Sequence, residues 1–357
     1  MSARRFLWVL IAAVALIVLA IWLSSKRHLE RDLTSGDLVL PGLEHNVNSV
    51  SSVALRKGDA THVTLQKQGG EWRVAERGWP ADEGKLRKLL LDLGALNIVE
   101  EKTRLPANYP MLGVEDVTSP KATGTLIEIT APARSWALIV GKSSSGKSGY
   151  VRVAQMPQSL LAAPLLSVDA DPKGWLQNAL LEINAARIHQ IEAKPAQGAA
   201  FTAVRAKKDE ISFTVSPLPK GRQLTGPAAP EGIAGGLSQL TLEDVRKAAP
   251  APQAQLSHVS YLTFDGLQLD LAGRRDGAHP LVTIAVSSTA PGATAEAQRL
   301  AALVSGWEFE IPDYKYTVIF TPLEELLQKP PEPPPKATPG KKSAGTPPAA
   351  AAPAITR

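Results

Sequence analysis

The chain has 357 residues, of which 44% are hydrophobic and 20% charged, a balance typical of a globular protein long enough for two domains. It contains no cysteine, which excludes disulfides, thiolate metal sites and cysteine nucleophiles. Its net charge of +5 comes from the ends, since residues 1–32 carry +3 and residues 329–357 carry +4, which leaves −2 between them. A nucleic-acid-binding protein needs clustered positive charge on its folded part, so this distribution argues against nucleic acid as a partner.

A membrane-sized apolar run opens the chain. Residues 6–23 read FLWVLIAAVALIVLAIWL, eighteen residues without a charged or polar side chain. As a helix they would be roughly 27 Å long, about the thickness of the hydrocarbon core of a bilayer. The run exceeds the usual apolar region of a signal peptide, which favours an uncleaved single-pass anchor with the N-terminus inside and the bulk of the chain outside. The alternative is a cleaved signal peptide, for which Val18 and Ala20 suit the −3 and −1 positions.

The next part of the chain predicts strands, then a helix, then strands. Three short alternating runs around Val53, Val63 and Trp72 predict three antiparallel strands, the last two joined by a hairpin at Gly69-Gly70. Leucines at helical spacing over residues 86–96, after Pro80 and Asp82, predict an amphipathic helix. Further strands are predicted at Ile127–Ile129, Leu138–Val140 and Val151–Val153. The stretch SLLAAPLL (residues 159–166) allows a short apolar helix, which Pro164 would limit.

The same order of elements returns in the second half. Ile188 and Ile191 match Val50 and Val53 at a lag of 138 residues. Further correspondences follow: Phe213 and Val215 stand where Trp72 and Val74 stood, residues 237–245 predict a second amphipathic helix, and YLTFDGLQLDLAG, PLVTIAV and WEFEI predict later strands. The pattern predicts an α+β fold of two tandem repeats, each with antiparallel strands packed against an amphipathic helix, preceded by one transmembrane helix.

These observations divide the chain into six parts. The predicted parts are a cytoplasmic N-terminus (1–5), the transmembrane anchor (6–23), a juxtamembrane linker (24–39), a first α+β repeat (40–170), a second α+β repeat (171–328) and a disordered Pro/Ala/Lys tail (329–357).

One stretch matches a nucleotide-binding pattern. Residues 141–148, GKSSSGKS, fit G-x-x-x-x-G-K-[ST], which binds phosphate only where a helix begins at the Lys-Ser end. The following residues, GYVRVA, alternate with period two and predict a strand instead. We therefore expect residues 141–149 to form a hairpin loop that binds no nucleotide. The Ser-Lys spacing of Ser144 and Lys147, which resembles a nucleophile pair, fails for the same reason.

The other candidate side chains do not form a catalytic pattern. The six histidines, His28, His45, His62, His189, His258 and His279, include no pair at the spacing of metal ligands on a helix. Trp72, Trp79, Trp136, Trp175 and Trp307 could line a groove for a ligand, but their positions near predicted strand and helix ends favour core and rim packing. The sequence predicts no catalytic, cofactor-binding or metal-ligating residue.

Several segments together resemble a bacterial family, the domain of unknown function numbered 4340. They are GGEWRV, KLRKLLLDLGAL, NYPMLGVEDVTSP, GYVRV, GWLQNALLEINAARIHQIEA and GWEFEIPDYKYTVIFTPLEELL, which with the anchor cover most of the chain from about Val50 to Leu327. The resemblance carries no catalytic residues. It implies a protein of the bacterial inner membrane with its C-terminal bulk in the periplasm, and a partner such as an ABC-type permease or a gliding-motility-like auxiliary component.

Two hypotheses for function follow. The first is a non-enzymatic accessory or interaction protein, anchored by residues 6–23 and part of an envelope complex. The second is a cell-envelope enzyme or ligand-binding protein that uses a cleft between the two repeats. Convergent polar groups and carboxylates of shifted pKa in such a cleft would favour the second hypothesis.

Overall fold

The computed structural model describes residues 35–144, 146–250 and 256–329. These residues form two large antiparallel sheets, with a few helices packed on them. Within the described residues no helix is long and apolar enough to cross a membrane. The predicted anchor at residues 6–23 and nearly all of the predicted tail lie outside them.

The first sheet has nine strands and follows the predicted hairpin order. Its strands are β1 (Ser52–Lys57), β2 (His62–Gln68), β3 (Glu71–Val74), β4 (Trp79–Pro80), β5 (Asn97–Glu101), β6 (Thr125–Ala131), β7 (Arg134–Ser143), β8 (Gly149–Val153) and β9 (Ser159–Ala163), in the spatial order β4-β3-β2-β1-β6-β7-β8-β9-β5. Gly69 and Gly70 both have positive φ, as a two-residue hairpin turn requires. The strands predicted before and after the helix are therefore confirmed.

Helix α2 covers the inner face of this sheet. It runs over Glu83–Gly94, after the short helix α1 (Leu43–Asn46), and the carboxylate of Asp82 caps its N-terminus by accepting from the N–H of Lys85. The leucines at helical spacing, Leu86, Leu89, Leu90 and Leu93, are buried as predicted. The short apolar helix considered at SLLAAPLL is wrong because residues 159–163 form β9, where Ser159, Leu160 and Ala162 are buried. A further short helix, α3, spans Tyr109–Leu112.

The second sheet has eight strands. They are β11 (Ile188–Lys194), β12 (Phe201–Val204), β13 (Thr214–Ser216), β15 (Asp244–Lys247), β16 (Ser257–Thr263), β17 (Leu267–Asp276), β18 (His279–Ser288) and β19 (Trp307–Glu310), in the spatial order β13-β12-β11-β16-β17-β18-β19-β15. A separate two-stranded sheet pairs β10 (Ala179–Leu181) with β14 (Leu240–Thr241). The helices of this half are α4 (Glu231–Ala234), α5 (Thr294–Val304), α6 (Asp313–Ile319) and α7 (Leu323–Leu326).

The helix predicted at residues 237–245 is wrong. Gln239 has a positive φ, which no α-helix accommodates, and Leu240 and Leu242 are buried at the period-two spacing of extended chain. The long helix of this half is α5 instead, whose Ala297, Leu300 and Val304 face the core. Ala297, Leu300 and Val304 recur at helical spacing after Pro291, and this pattern could have identified α5 from the sequence.

The two large sheets share one order of strands. In both, the first strand lies between the second strand and a strand from later in the chain. Strand β1 lies between β2 and β6, with Val53 opposite Leu65 and Ile129, and β11 lies between β12 and β16, with Ile191 opposite Ala203 and Tyr261. The strands that precede β6 and β16 along the chain, β5 and β15, lie instead at the far edge of their sheets, beside β9 and β19. The 138-residue lag between Val53 and Ile191 therefore places them at equivalent positions.

A connecting segment joins the two sheets through hydrogen bonds on both sides. A 3₁₀ turn spans Pro172–Trp175, and Gln177 then donates its N–H to the carbonyl of Pro80 at the edge of β4. Leu242 donates to the carbonyl of Asn178, and β10 pairs with β14. One continuous apolar core includes buried residues from both halves.

Candidate functional site: a charged cleft between the sheets

A cleft of about 510 Å³ lies where the two halves meet. One wall comes from the turn between β3 and β4, at Glu76 and Arg77, and from Lys173 of the connecting segment. The other wall comes from β15, β19 and the β17–β18 hairpin of the eight-stranded sheet. Its lining side chains there are Asp244, Val245, Arg246, Lys247, Asp276, His279, Leu281, Glu308 and Glu310.

The first group of ion pairs joins the two walls. Arg77 donates from Nε and Nη2 to the two carboxylate oxygens of Asp244, at 2.6 and 3.1 Å. Lys173 lies 3.4 Å from Asp244 and 3.1 Å from Glu310. Glu310 also lies 2.6 Å from Nδ1 of His279. A cation of the first half, Arg77, and one of the connecting segment, Lys173, thus meet carboxylates of the second half.

The second group surrounds a buried carboxylate. Glu308 is 3% exposed and lies on β19 between two arginines. Arg246 of β15 donates to it at 2.7 Å, and Arg274 of β17 donates at 3.1 and 3.2 Å. Asp276 lies farther from both arginines, at 3.7 and 3.8 Å. Two guanidinium groups therefore satisfy one desolvated carboxylate, as a buried charge requires.

The pairing fixes the protonation of the carboxylates. Burial alone would raise the pKa of Asp244, but the Arg77 guanidinium, the N–H of Val245 and the Lys173 ammonium together hold it below its usual 3.8. Burial likewise opposes ionisation of Glu310, and hydrogen bonds from His279 and Lys173 still lower the pKa of that group. The hydrogen bond to Asp244 raises the pKa of Arg77. Both carboxylates are thus held ionised.

Aromatic side chains pack beneath the charged groups. The indole of Trp79 meets Trp307 and Phe309 edge to face, with ring centroids 5.4 and 5.3 Å apart. Lys247 places its ammonium 3.4 Å from the ring centroid of Trp307 and has no ion-pair partner among the described residues. Of the five tryptophans singled out in the sequence, Trp79, Trp136 and Trp175 are buried, and Trp72 and Trp307 pack against the core. Their predicted role in packing is confirmed.

The GKSSSGKS segment lies away from the cleft and forms a hairpin. Strand β7 extends to Ser143, β8 begins at Gly149, and the N–H of Ser144 donates to the carbonyl of Ser148. Gly146 supplies a positive φ at the tip. The predicted hairpin is confirmed, and with no helix at Lys147 the geometry of a phosphate loop is absent from the described part of this segment.

The histidines do not gather into a metal site. His28 lies outside the described residues, and of the others only His279 lines the cleft. In the described ranges no three His, Asp or Glu side chains are placed to hold a metal ion. The cleft itself was not predicted residue by residue, because Arg77 and Asp244 are separated by 167 positions and their pairing has no local signal.

A comparison with protein-family models identifies the family of the chain. A family model described as domain of unknown function (DUF4340) matches residues 72–259, more than half of the chain, and the chain belongs to this family. The resemblance found in the sequence is thereby confirmed. No curated protein and no solved structure matches the chain.

Proposed function

We propose that the protein is a non-enzymatic accessory protein that binds another protein of the cell envelope. The observation that carries this proposal is the matching of charges in the cleft: Asp244, Glu308 and Glu310 each lie against at least one cation. A general acid or base works best with a pKa near the working pH, whereas the pKa values of Asp244 and Glu310 are shifted downward. Paired charges of this kind suit a structural contact between the two halves of the protein better than proton transfer to a substrate.

The rest of the proposal concerns the membrane. We propose that residues 6–23 anchor the chain in the membrane with residues 1–5 in the cytoplasm, and that two tandem α+β repeats, at residues 40–170 and 171–328, lie in the periplasm. The apolar length of the run supports the anchor, and the shared strand order of the two sheets supports the repeats. The resemblance described in the sequence analysis implies a partner such as an ABC-type permease or gliding-motility-like component, and we propose a partner of this kind.

A tagged full-length chain, extracted from bacterial membranes in mild detergent, tests the partner. We expect an integral-membrane permease or auxiliary component to be recovered with it, and the same recovery after deletion of residues 329–357. Removing residues 40–328 should abolish recovery. Purification of the intact chain without any envelope protein would contradict the proposal.

Active alkaline phosphatase fused after Leu327 would support the orientation, and an inactive fusion would contradict it.

A specific observation favours a ligand in the cleft as a second candidate function. The cleft gathers polar groups and carboxylates of shifted pKa, and Lys247 stands over Trp307 without a carboxylate. Such a ligand would be acidic or zwitterionic, and it would draw Lys247 away from the indole. A thermal shift with acidic or amino-acid-like compounds that disappears in Lys247→Met, but not in the matched exposed variant Lys88→Met, would favour this candidate over the first.

A further inference from the structure

The segment from Lys102 to Val114, called the outer loop below, crosses the outer face of the nine-stranded sheet. It contains helix α3 and covers a small apolar cluster, separate from the main core, built from Tyr109, Val114 and Ile139. Leu126 and Tyr150 of neighbouring strands pack against this cluster. The outer loop therefore has an inner side that is bound to the sheet and an opposite side that faces away from it.

Polar contacts fix the inner side of the outer loop. Arg152 of β8, only 3% exposed, donates from Nε to the carbonyl of Val114 at 2.8 Å and from Nη2 to Asp116 at 2.5 Å. Its guanidinium also stacks 4.6 Å from the ring centroid of Tyr109. Lys142 of β7 donates to the carbonyls of Pro110 and Met111 at 3.0 and 3.2 Å. These contacts hold the backbone of the outer loop in place.

The other side of the outer loop is apolar and basic. Its thirteen residues, KTRLPANYPMLGV, include no carboxylate and two cations. Lys102 is paired with Glu100 of β5 at 2.6 Å, whereas Arg104 donates from Nε to the side-chain oxygen of Gln158 and is the exposed cation of the outer loop. Leu105 is 64% exposed and Met111 is 73% exposed, and Arg104 is exposed beside Leu105. Exposed apolar side chains next to cations, without acidic residues, are the chemistry that binds the headgroup region of an anionic bilayer.

The path of the chain places the outer loop near the predicted anchor. Gly36 donates its N–H to the carbonyl of Ile98 at 2.8 Å, and the Ser35 hydroxyl donates to the carbonyl of Val99 at 3.2 Å. Residues 24–34 alone separate Ser35 from the end of the apolar run, and eleven residues span at most roughly 36–40 Å. Leu105 follows Val99 by six residues, so it lies within about 22 Å of it.

We propose that the outer loop rests on the lipid headgroups of the membrane that holds residues 6–23. This inference rests on the anchor of the proposed function. Leu105 and Met111 enter the interface between headgroups and acyl chains, while Arg104 lies at the level of the phosphates. The nine-stranded sheet is the membrane-proximal half, with its outer face turned toward the bilayer, and the eight-stranded sheet lies farther away.

Single-cysteine labelling tests this contact cleanly, because the natural chain has no cysteine. The full chain is reconstituted in nanodiscs containing anionic lipid, with an environment-sensitive fluorophore at Leu105→Cys or Met111→Cys. The matched controls are Ile211→Cys and Tyr314→Cys, since both residues are 65% exposed and belong to the second half of the chain. Lipids spin-labelled near the headgroup serve as quenchers.

We expect a blue-shifted emission and a loss of fluorescence at positions 105 and 111, with neither change at positions 211 and 314. Adding Leu105→Asp to the Met111→Cys chain should reverse the loss at position 111. Equal quenching at all four positions, or none at 105 and 111 in a chain that resists carbonate extraction, would overturn the inference and leave the anchor intact. A chain released by carbonate would overturn the anchor and the inference together. Protection of positions 105 and 111 only when a protein partner is added would also overturn the lipid contact.

Discussion

The outer faces of the two large sheets differ although their strands follow one order. Over the nine-stranded sheet lies the outer loop, which buries Ile139 in a second apolar cluster. In the eight-stranded sheet the corresponding side is polar, with Asp270 accepting hydrogen bonds from Ser260 at 2.5 Å and from Gln268 at 3.1 Å. A shared topology therefore does not decide how a sheet face is used, whereas the side chains on that face do.

The difference is visible in two equivalent strands. Strand β7 contains Ala137-Leu-Ile-Val140, a continuous apolar run in which Leu138, Ile139 and Val140 are all buried, so both faces of the strand are covered. Strand β17 begins LQLDLAG and alternates strictly between buried and half-buried residues, so only one face is covered. The run in β7 thus indicates that something lies over the outer face of the first sheet.

The largest expected effect follows from removing the side chain that fixes the outer loop. Arg152→Met should lower the free energy of unfolding by about 3 kcal/mol, because it leaves the carbonyls of Val114 and Met156 without this buried donor. The lost ion pair adds little, since the carboxylate of Asp116 is 67% exposed. Urea denaturation of the detergent-solubilised chain measures the change. Arg56→Met on the same sheet is the matched control, since Arg56 is exposed and pairs with an exposed Glu128. A loss no larger than that of the control would show that the outer loop is held by apolar contacts alone.

The strands were the most predictable part of the fold, and the sites the least. Period two around Val53 and Val63, the Gly69-Gly70 turn and the leucines of α2 are local signals, and each was confirmed. Helix α5 was missed because the second helix was expected at the position equivalent to α2. The outer loop and the cleft depend on contacts between distant residues, such as Arg152 with Asp116 and Arg77 with Asp244, which no local pattern encodes.

A second test concerns the glycine that begins GKSSSGKS. A Cβ on Gly141 would lie 2.4 Å from the carbonyl oxygen of Leu112 and 2.8 Å from a methyl group of Val114, so this glycine permits the outer loop to approach β7. Gly141→Ala should therefore cost about 2 kcal/mol of stability through overpacking. Lys147→Ala in the same segment should change stability by less than about 0.5 kcal/mol and leave any partner binding unchanged.

Thermal unfolding of both variants compares the two effects. If Gly141→Ala is neutral, the close approach of the outer loop to β7 is not what requires glycine there. Saturable ATP binding by the natural chain that is lost in Lys147→Ala would contradict the hairpin interpretation and restore the phosphate-loop hypothesis.

A smaller effect than those of Arg152→Met and Gly141→Ala is expected at the cleft, from the ion pair between the two halves. A double-mutant cycle on Arg77→Ala and Asp244→Ala should give a coupling of about 1 kcal/mol at pH 7, since the pair is partly buried and bidentate. The pKa of Asp244 is lower in the folded chain than its usual 3.8, so its stabilising contribution is fully present above that value and is lost as pH falls through the folded pKa. The coupling should therefore persist at pH 5 and disappear in strong acid.

The same cycle on the exposed pair Arg56 and Glu128 should give less than about 0.5 kcal/mol throughout. Equal couplings for the two pairs would mean that the charges of the cleft do not hold the halves together, and the apolar contact of Trp79 with Trp307 and Phe309 would then be the main link across the junction.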